Sequence, residues 1–191
     1  GIGESFGELA LMYNAVRSAT VKAKTDCKVW AVERYMFRKI LIKASTHKIK
    51  EYCRFLKSVP LLDSLLTNER REVAECLTPL TFNEGDVIVN QGEIGDTFYI
   101  IKKGKAIVYK SVPINSPPKK VGILKEGNFF GERALIKNET RAATVQVIDG
   151  KMTCLCLNRD EFCLLLGPLA ELMKRKIDRD YDSIKGGGNP N

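Results

Sequence analysis

One segment of this chain occurs twice, and that repeat constrains the fold more than any other feature. Near the start the chain reads Phe6-Gly7-Glu8-Leu9-Ala10-Leu11, followed by Arg17-Ser18-Ala19-Thr20-Val21. The pattern returns as Phe130-Gly131-Glu132-Arg133-Ala134-Leu135 and Arg141-Ala142-Ala143-Thr144-Val145, at an offset of 124 residues. With one inserted residue the match runs on, from Val32-Glu33-Arg34 and Phe37 to Leu157-Asn158-Arg159 and Phe162. Segments that share spacing over this length share a fold. The pattern predicts a glycine loop, a short helix, two strands and a helix in each copy.

The second copy is the complete one. Residues 87–89 and 97–101 are apolar, β-rich runs separated by the two-glycine turn Gln91-Gly92-Glu93-Ile94-Gly95-Asp96. Lys102-Lys103-Gly104 reads as a turn into residues 105–109, and the proline-rich stretch 112–120 as a loop. Residues 121–124, 144–148 and 152–157 resume the sheet. Short strands at this spacing predict a β-barrel or jelly roll. Apolar spacing predicts a long, breakable helix over about 34–57, a further helix over 68–77, and an amphipathic helix after Gly167-Pro168. Trp30 falls in a predicted strand and is expected in the core. Residues 182–191 are expected to be a disordered tail. Only five residues precede Phe6, so the chain reads as a fragment beginning inside a domain. The expected division is a partial first domain over 1–57 and a complete second domain over 58–181.

The repeated residues suit a small anion. Backbone N–H groups at a helix start carry partial positive charge, and Gly131 permits close approach. Arg141 can grip a phosphate with two parallel hydrogen bonds. Ala142 and Ala143 leave room beside it. Glu132 is out of place beside an anion unless it accepts from ribose hydroxyls. Together these imply a cyclic phosphate ester, and a nucleotide-binding switch rather than an enzyme. His47, the one histidine, sits in a basic helix without an evident catalytic partner.

Composition narrows the field. The 191 residues carry a formal charge of +8, much of it between Glu33 and Lys57, which reads as a solvated helix face or a protein-docking surface. No aromatic interleaving accompanies that charge, so a nucleic-acid partner is not expected. No run approaches the ~20 apolar residues of a membrane span. The six cysteines (Cys27, Cys53, Cys76, Cys154, Cys156, Cys163) have neither zinc nor CxxC spacing. They are expected to be reduced and mostly packed inside, with no metal and no cofactor. Cys154 and Cys156 alternate, so they share one face.

Residues 88–101 with Gly104 resemble the first signature of cyclic-nucleotide-binding domains, and Phe130-Gly131-Glu132 with Arg141-Ala142-Ala143-Thr144 resemble their phosphate-binding cassette. The tandem arrangement resembles the regulatory subunits of cAMP-dependent protein kinase, and so do residues 3–11, 21–25 and 166–177. The resemblance implies an α+β cyclic-nucleotide-binding β-roll, a jelly-roll-like barrel with flanking helices, in one complete copy plus a partial first copy. It implies a second cAMP site of Gly131, Glu132, Arg133, Ala134, Leu135, Arg141, Ala142 and Ala143, with Tyr181 as an aromatic lid. It implies a first site of Gly7, Glu8, Leu9, Ala10, Leu11, Arg17, Ser18 and Ala19. Glu132 would take the ribose 2′-hydroxyl and Arg141 the phosphate, with Glu8 and Arg17 in matching parts. The family's tryptophan cap for the first site is replaced here by Asn68. Ser18 is a residue that serves guanine in cGMP-dependent kinases, whereas Ala142 suits adenine, so cGMP stays open as ligand at the first site. The implied role is a cytoplasmic inhibitor of a protein kinase catalytic subunit, released by cAMP and dimeric through a region absent from this chain. The regulatory region of a cGMP-dependent kinase is the alternative.

Overall fold

The computed structural model describes residues 1–13, 15–114, 116–167 and 169. Pro168, most of the amphipathic helix expected after it, Tyr181 and the tail expected at 182–191 lie outside them. The chain forms two compact units, Gly1–Glu51 and Tyr52 onward.

The second unit is built on a six-stranded antiparallel sheet. Its strands are β1 (Thr78–Phe82), β2 (Val87–Val89), β3 (Thr97–Lys110), β4 (Lys119–Lys125), β5 (Phe129–Phe130) and β6 (Thr144–Asn158). The main path runs β1-β6-β3-β4, with β2 beside β6 and β5 beside β3. The long β3–β6 ribbon is its spine: Thr97 lies opposite Asn158 at one end, and Tyr109 opposite Thr144 at the other. The turn expected at Lys102-Lys103-Gly104 is instead a bend inside β3, and the gap left between the runs 144–148 and 152–157 is a bend inside β6. The β3–β6 ladder shifts register between Ile101 and Lys105. Gly104, at φ +96°, brings its Cα where a Cβ would lie 2.8 Å from Met152 Cα, so only glycine lets the strands cross there. Asp149 and Gly150 take φ 60° and 84° in the partner strand. β1 and β5 have no counterpart in the sequence reading: β1 carries a proline and an exposed face, and β5 is two residues long.

Between β2, β3, β5 and β6 lies a core of Val89, Ile101, Ala106, Phe130, Val145, Val147, Met152, Cys154 and Cys156. The opposite face of β3 is buried too. Phe98 and Ile100 are fully covered, and the Phe98 ring packs tilted by 53° against Phe162, centroids 5.0 Å apart, on α5, the helix at residues 159–167. Cys154 and Cys156 do share the inner face, and burial pushes both thiols up to about 12. All six cysteines are free, but Cys27 and Cys163 are exposed rather than packed.

Helix α3 (Thr67–Cys76) precedes β1, and Glu69 accepts from the Leu66 N–H at 2.8 Å to close its first turn. α4 (Glu132–Ile136) follows β5. In the first unit, α1 (Glu8–Tyr13) matches α4. α2 (Arg34–Lys57), which begins in the first unit and ends in the second, is one unbroken helix of 24 residues rather than a broken one. The two strands expected between them are absent. A strand needs a hydrogen-bonded neighbour, and residues 20–33 have none among the described residues. Trp30 is therefore fully exposed rather than in a core.

Candidate functional site

The second cassette begins where β5 ends. Gly131 caps α4 with φ 93° and ψ −6°, a left-handed conformation that turns the chain sharply off the sheet. A Cβ on Gly131 would lie 2.4 Å from Arg141 Nη1 and 2.7 Å from the Thr97 carbonyl oxygen. The missing side chain is thus the space that Arg141 occupies.

Arg141 is 6% exposed, the one charged residue buried among those described. Its backbone is pinned by a pair of bonds to the β2–β3 turn: Arg141 N donates to Glu93 O at 2.7 Å, and Gly92 N donates to Arg141 O at 2.9 Å. Its guanidinium donates to Gly131 O at 3.0 Å and to Thr97 O at 2.8 Å. The ring of Tyr99 lies below it at 5.8 Å. Burial lowers the arginine's pKa, and the charges of Tyr99, Asp96 and Glu132 oppose that shift. The group stays ionised in any ordinary solution. A buried, ionised guanidinium bonded to two neutral carbonyls keeps further N–H donors and its charge for an anion.

Glu132 sits in the first turn of α4 and is half-buried. Burial raises its pKa, against the lowering effects of its own backbone N–H and the charges of Arg133 and Arg141. It is a carboxylate held in a poorly solvated place, where hydroxyl donors would be welcome. Ala134 and Leu135 are buried under α4 and do not reach the open space.

Beside Arg141 lies a cavity of about 370 Å³ lined by Gln91, Gly92, Lys110, Ile114, Arg133, Glu139, Thr140, Arg141 and Ala142. Of the residues expected in the second site, Arg133, Arg141 and Ala142 line it, Gly131 touches the guanidinium, and Glu132 interacts with its charge. Arg133 reaches Glu139 at 3.5 Å.

The first cassette repeats one of the two bonds of that grip. Arg17 Nη1 donates to Gly7 O at 2.8 Å, and Gly7 has φ +84°. Glu8 Oε2 is buried, with no hydrogen-bond partner among the described residues. The surroundings differ. Arg17, Ser18 and Ala19 are exposed, where Arg141 is buried. Asn68, the expected cap, is an exposed residue of α3.

Four contributors escaped the sequence reading. Thr97 supplies the second carbonyl, Gly95 makes room for the arginine stem, and Lys110 lines the cavity. The fourth is Arg159, which donates to Gly95 O at 2.9 Å, Ala134 O at 3.3 Å and Leu135 O at 3.4 Å. Its counterpart Arg34 donates to Ala10 O at 3.3 Å. The Arg34/Arg159 match within the repeat was the signal that could have revealed it.

The cyclic nucleotide-binding domain family matches residues 1–44 and 79–166, two segments that carry the two cassettes. The chain belongs to that family. As a cyclic nucleotide-binding domain protein it is 44% identical to a cAMP-dependent protein kinase regulatory subunit of Blastocladiella emersonii over 184 residues, 96% of this chain and 45% of the relative. It thus spans less than half the length of that relative. The regulatory domain of Toxoplasma gondii PKA, solved with cAMP, superposes with a TM-score of 0.72 at 42% identity, over 91% of this chain and 66% of that one. The regulatory subunit of a cAMP-independent protein kinase A from Trypanosoma cruzi, bound to guanosine, superposes with a TM-score of 0.66 at 29% identity, over 94% and 63%. These relatives are regulatory rather than catalytic subunits. No described helix is long and apolar enough to cross a membrane.

Proposed function

We propose that the second cassette binds cAMP and that the chain is the ligand-sensing portion of a regulatory subunit that restrains a protein kinase catalytic subunit. The observation that carries the reading is the buried Arg141, carbonyl-held and bordering a cavity of about 370 Å³. A cyclic phosphate supplies the single negative charge that this guanidinium lacks. Glu132, beside it, accepts from the ribose 2′-hydroxyl. Tyr181 serves as the lid over the base. cAMP binding tightens the cassette, and the catalytic subunit binds the nucleotide-free arrangement. Coupling of this kind is reciprocal, so catalytic subunit and cAMP weaken each other's binding by the same factor. The PKA relatives speak for this reading over the cGMP-kinase alternative.

The test is calorimetric titration of nucleotide-stripped, refolded protein with cAMP and with guanosine, beside Arg141→Lys. Tight cAMP binding that the lysine variant loses, with guanosine weak, supports the reading. Guanosine binding that ignores the substitution defeats it, because a nucleoside has no phosphate for Arg141 to grip.

A further inference from the structure

The cavity beside Arg141 contains an acid. Among the described residues that line it, the carboxylate of Glu139 stands against the cations Lys110, Arg133 and Arg141. A carboxylate opposes any anion that Arg141 would take. The chain itself bounds how far away it is. Glu139 precedes Arg141 by two residues, and consecutive Cα atoms are about 3.8 Å apart, so these two Cα atoms lie within about 7.6 Å of each other. The backbone cannot carry the acid away. Thr140, between them, forms a β-bridge with Ile94, and Arg141 N donates to Glu93 O at 2.7 Å. Salt at about 0.1 M screens charges only beyond about 10 Å, so a phosphate on Arg141 feels Glu139.

Arg133 answers that charge. It stands in α4, and its Nη2 reaches Glu139 Oε2 at 3.5 Å. Its own carbonyl accepts from Lys137 N at 2.9 Å, where the helix ends and the chain turns back to bring Glu139 to the arginine. The two side chains are 28% and 49% exposed. An ion pair so open to water contributes little to stability. Its consequence lies in the cavity, where two opposite charges in contact nearly cancel.

Resting on the reading of the cassette as a cyclic nucleotide site, we propose that Glu139 attenuates the affinity of the second site for the phosphate and that Arg133 balances it. The two set the affinity as a pair, without gripping the ligand. Removing the acid leaves an excess cation beside the phosphate and tightens binding. Removing the arginine leaves an excess acid and weakens it. Removing both restores the balance.

The experiment titrates cAMP into wild type, Arg133→Met, Glu139→Gln and the double variant. Arg133→Met is expected to weaken cAMP by about fivefold and Glu139→Gln to tighten it by about the same factor, the scale of one charge at this range. The double variant is expected within about twofold of wild type. In about 1 M salt the screening length falls to about 3 Å, and both shifts shrink toward none. A double variant as weak as Arg133→Met overturns the proposal: the loss then lies in a direct bond from Arg133 to the phosphate, or in its charge beside Glu132. Weakening by Glu139→Gln overturns it too, as do shifts that ignore salt. The glutamine variant stands on its own, because damage to the fold does not raise affinity. Wild type that binds no cAMP defeats the cassette reading and this proposal together. Tight wild-type binding without these shifts defeats this proposal alone.

Discussion

Gly131 and Arg141 are one device written in two residues. The glycine is needed twice over: for its φ of 93°, and because a Cβ would meet the Thr97 backbone oxygen at 2.7 Å. Backbone cannot swing aside as a side chain can. Gly131→Ala is expected to cost about 1–3 kcal/mol of stability and to displace the guanidinium, weakening cAMP binding. At Gly7 the obstructing atom is the exposed Arg17 side chain, which can move, so Gly7→Ala is the milder change. Thermal denaturation of both variants checks the order. Glu132 gives a pH prediction. Its folded pKa is raised by burial, so the folded state binds the proton more tightly than the unfolded one. Stability therefore falls as pH rises from about 4, the ordinary carboxyl range, until the raised folded value is passed, and is level above it. Glu132→Gln removes that slope: the ligand-free variant is more stable than wild type at neutral pH and binds cAMP more weakly. A parallel pH profile for the two proteins would sink this account of Glu132.

At the scale of elements, α4 is too short to hold itself together. Five residues make barely one turn, and helix nucleation is unfavourable. Arg159 stabilises it from outside. Its guanidinium reaches the carbonyls of Ala134 and Leu135 at the end of α4 and of Gly95 in the β2–β3 turn, from the start of α5. Arg159→Met strips donors from three carbonyls at once. A loss of about 2 kcal/mol, with a weaker cassette, is the expected result. A variant that unfolds at the wild-type temperature would show the contacts to be idle. Arg34 on Ala10 repeats the tie in the first unit. This pair also marks the limit of what the sequence made legible. The cassettes, α3 and most of the sheet could be read directly, because glycine, arginine and apolar period act locally. The bend at Gly104 read as a turn, and Asp149-Gly150 fell in a gap between two strands, since left-handed residues look alike in a loop and in a bulge. The carbonyls of Thr97 and Gly95 have no side-chain signature at all. Lys110 looked like one more surface lysine until the fold brought it beside Thr140 and Arg141.

The whole molecule divides unevenly. Among the described residues of Gly1–Glu51, only Ala10 is buried, whereas the second unit covers Leu56, Val59, Leu62, Phe98, Ile100, Phe162 and many others. Apolar burial is the main favourable term in folding, so cooperative unfolding belongs to the second unit. At about 0.7 kcal/mol per residue near 60 °C, its calorimetric enthalpy is expected near 80–100 kcal/mol, rather than the roughly 130 of a fully cooperative chain. The same asymmetry bears on the two sites. Arg17 and Arg141 each hold the carbonyl of the cassette glycine, but charge interactions weaken as water approaches, and Arg17 is exposed. On the proposed function, calorimetry is expected to find one tight cAMP site per chain. Arg141→Lys removes it, and Arg17→Lys leaves it in place. Trp30, the only tryptophan, supplies an optical check. Fully exposed, it should emit as a water-bathed indole in the native protein and be quenched freely by acrylamide, with cAMP saturation changing neither. A blue-shifted, protected tryptophan would mean that the first unit builds a core of its own, and both the enthalpy and the one-site stoichiometry would have to rise with it.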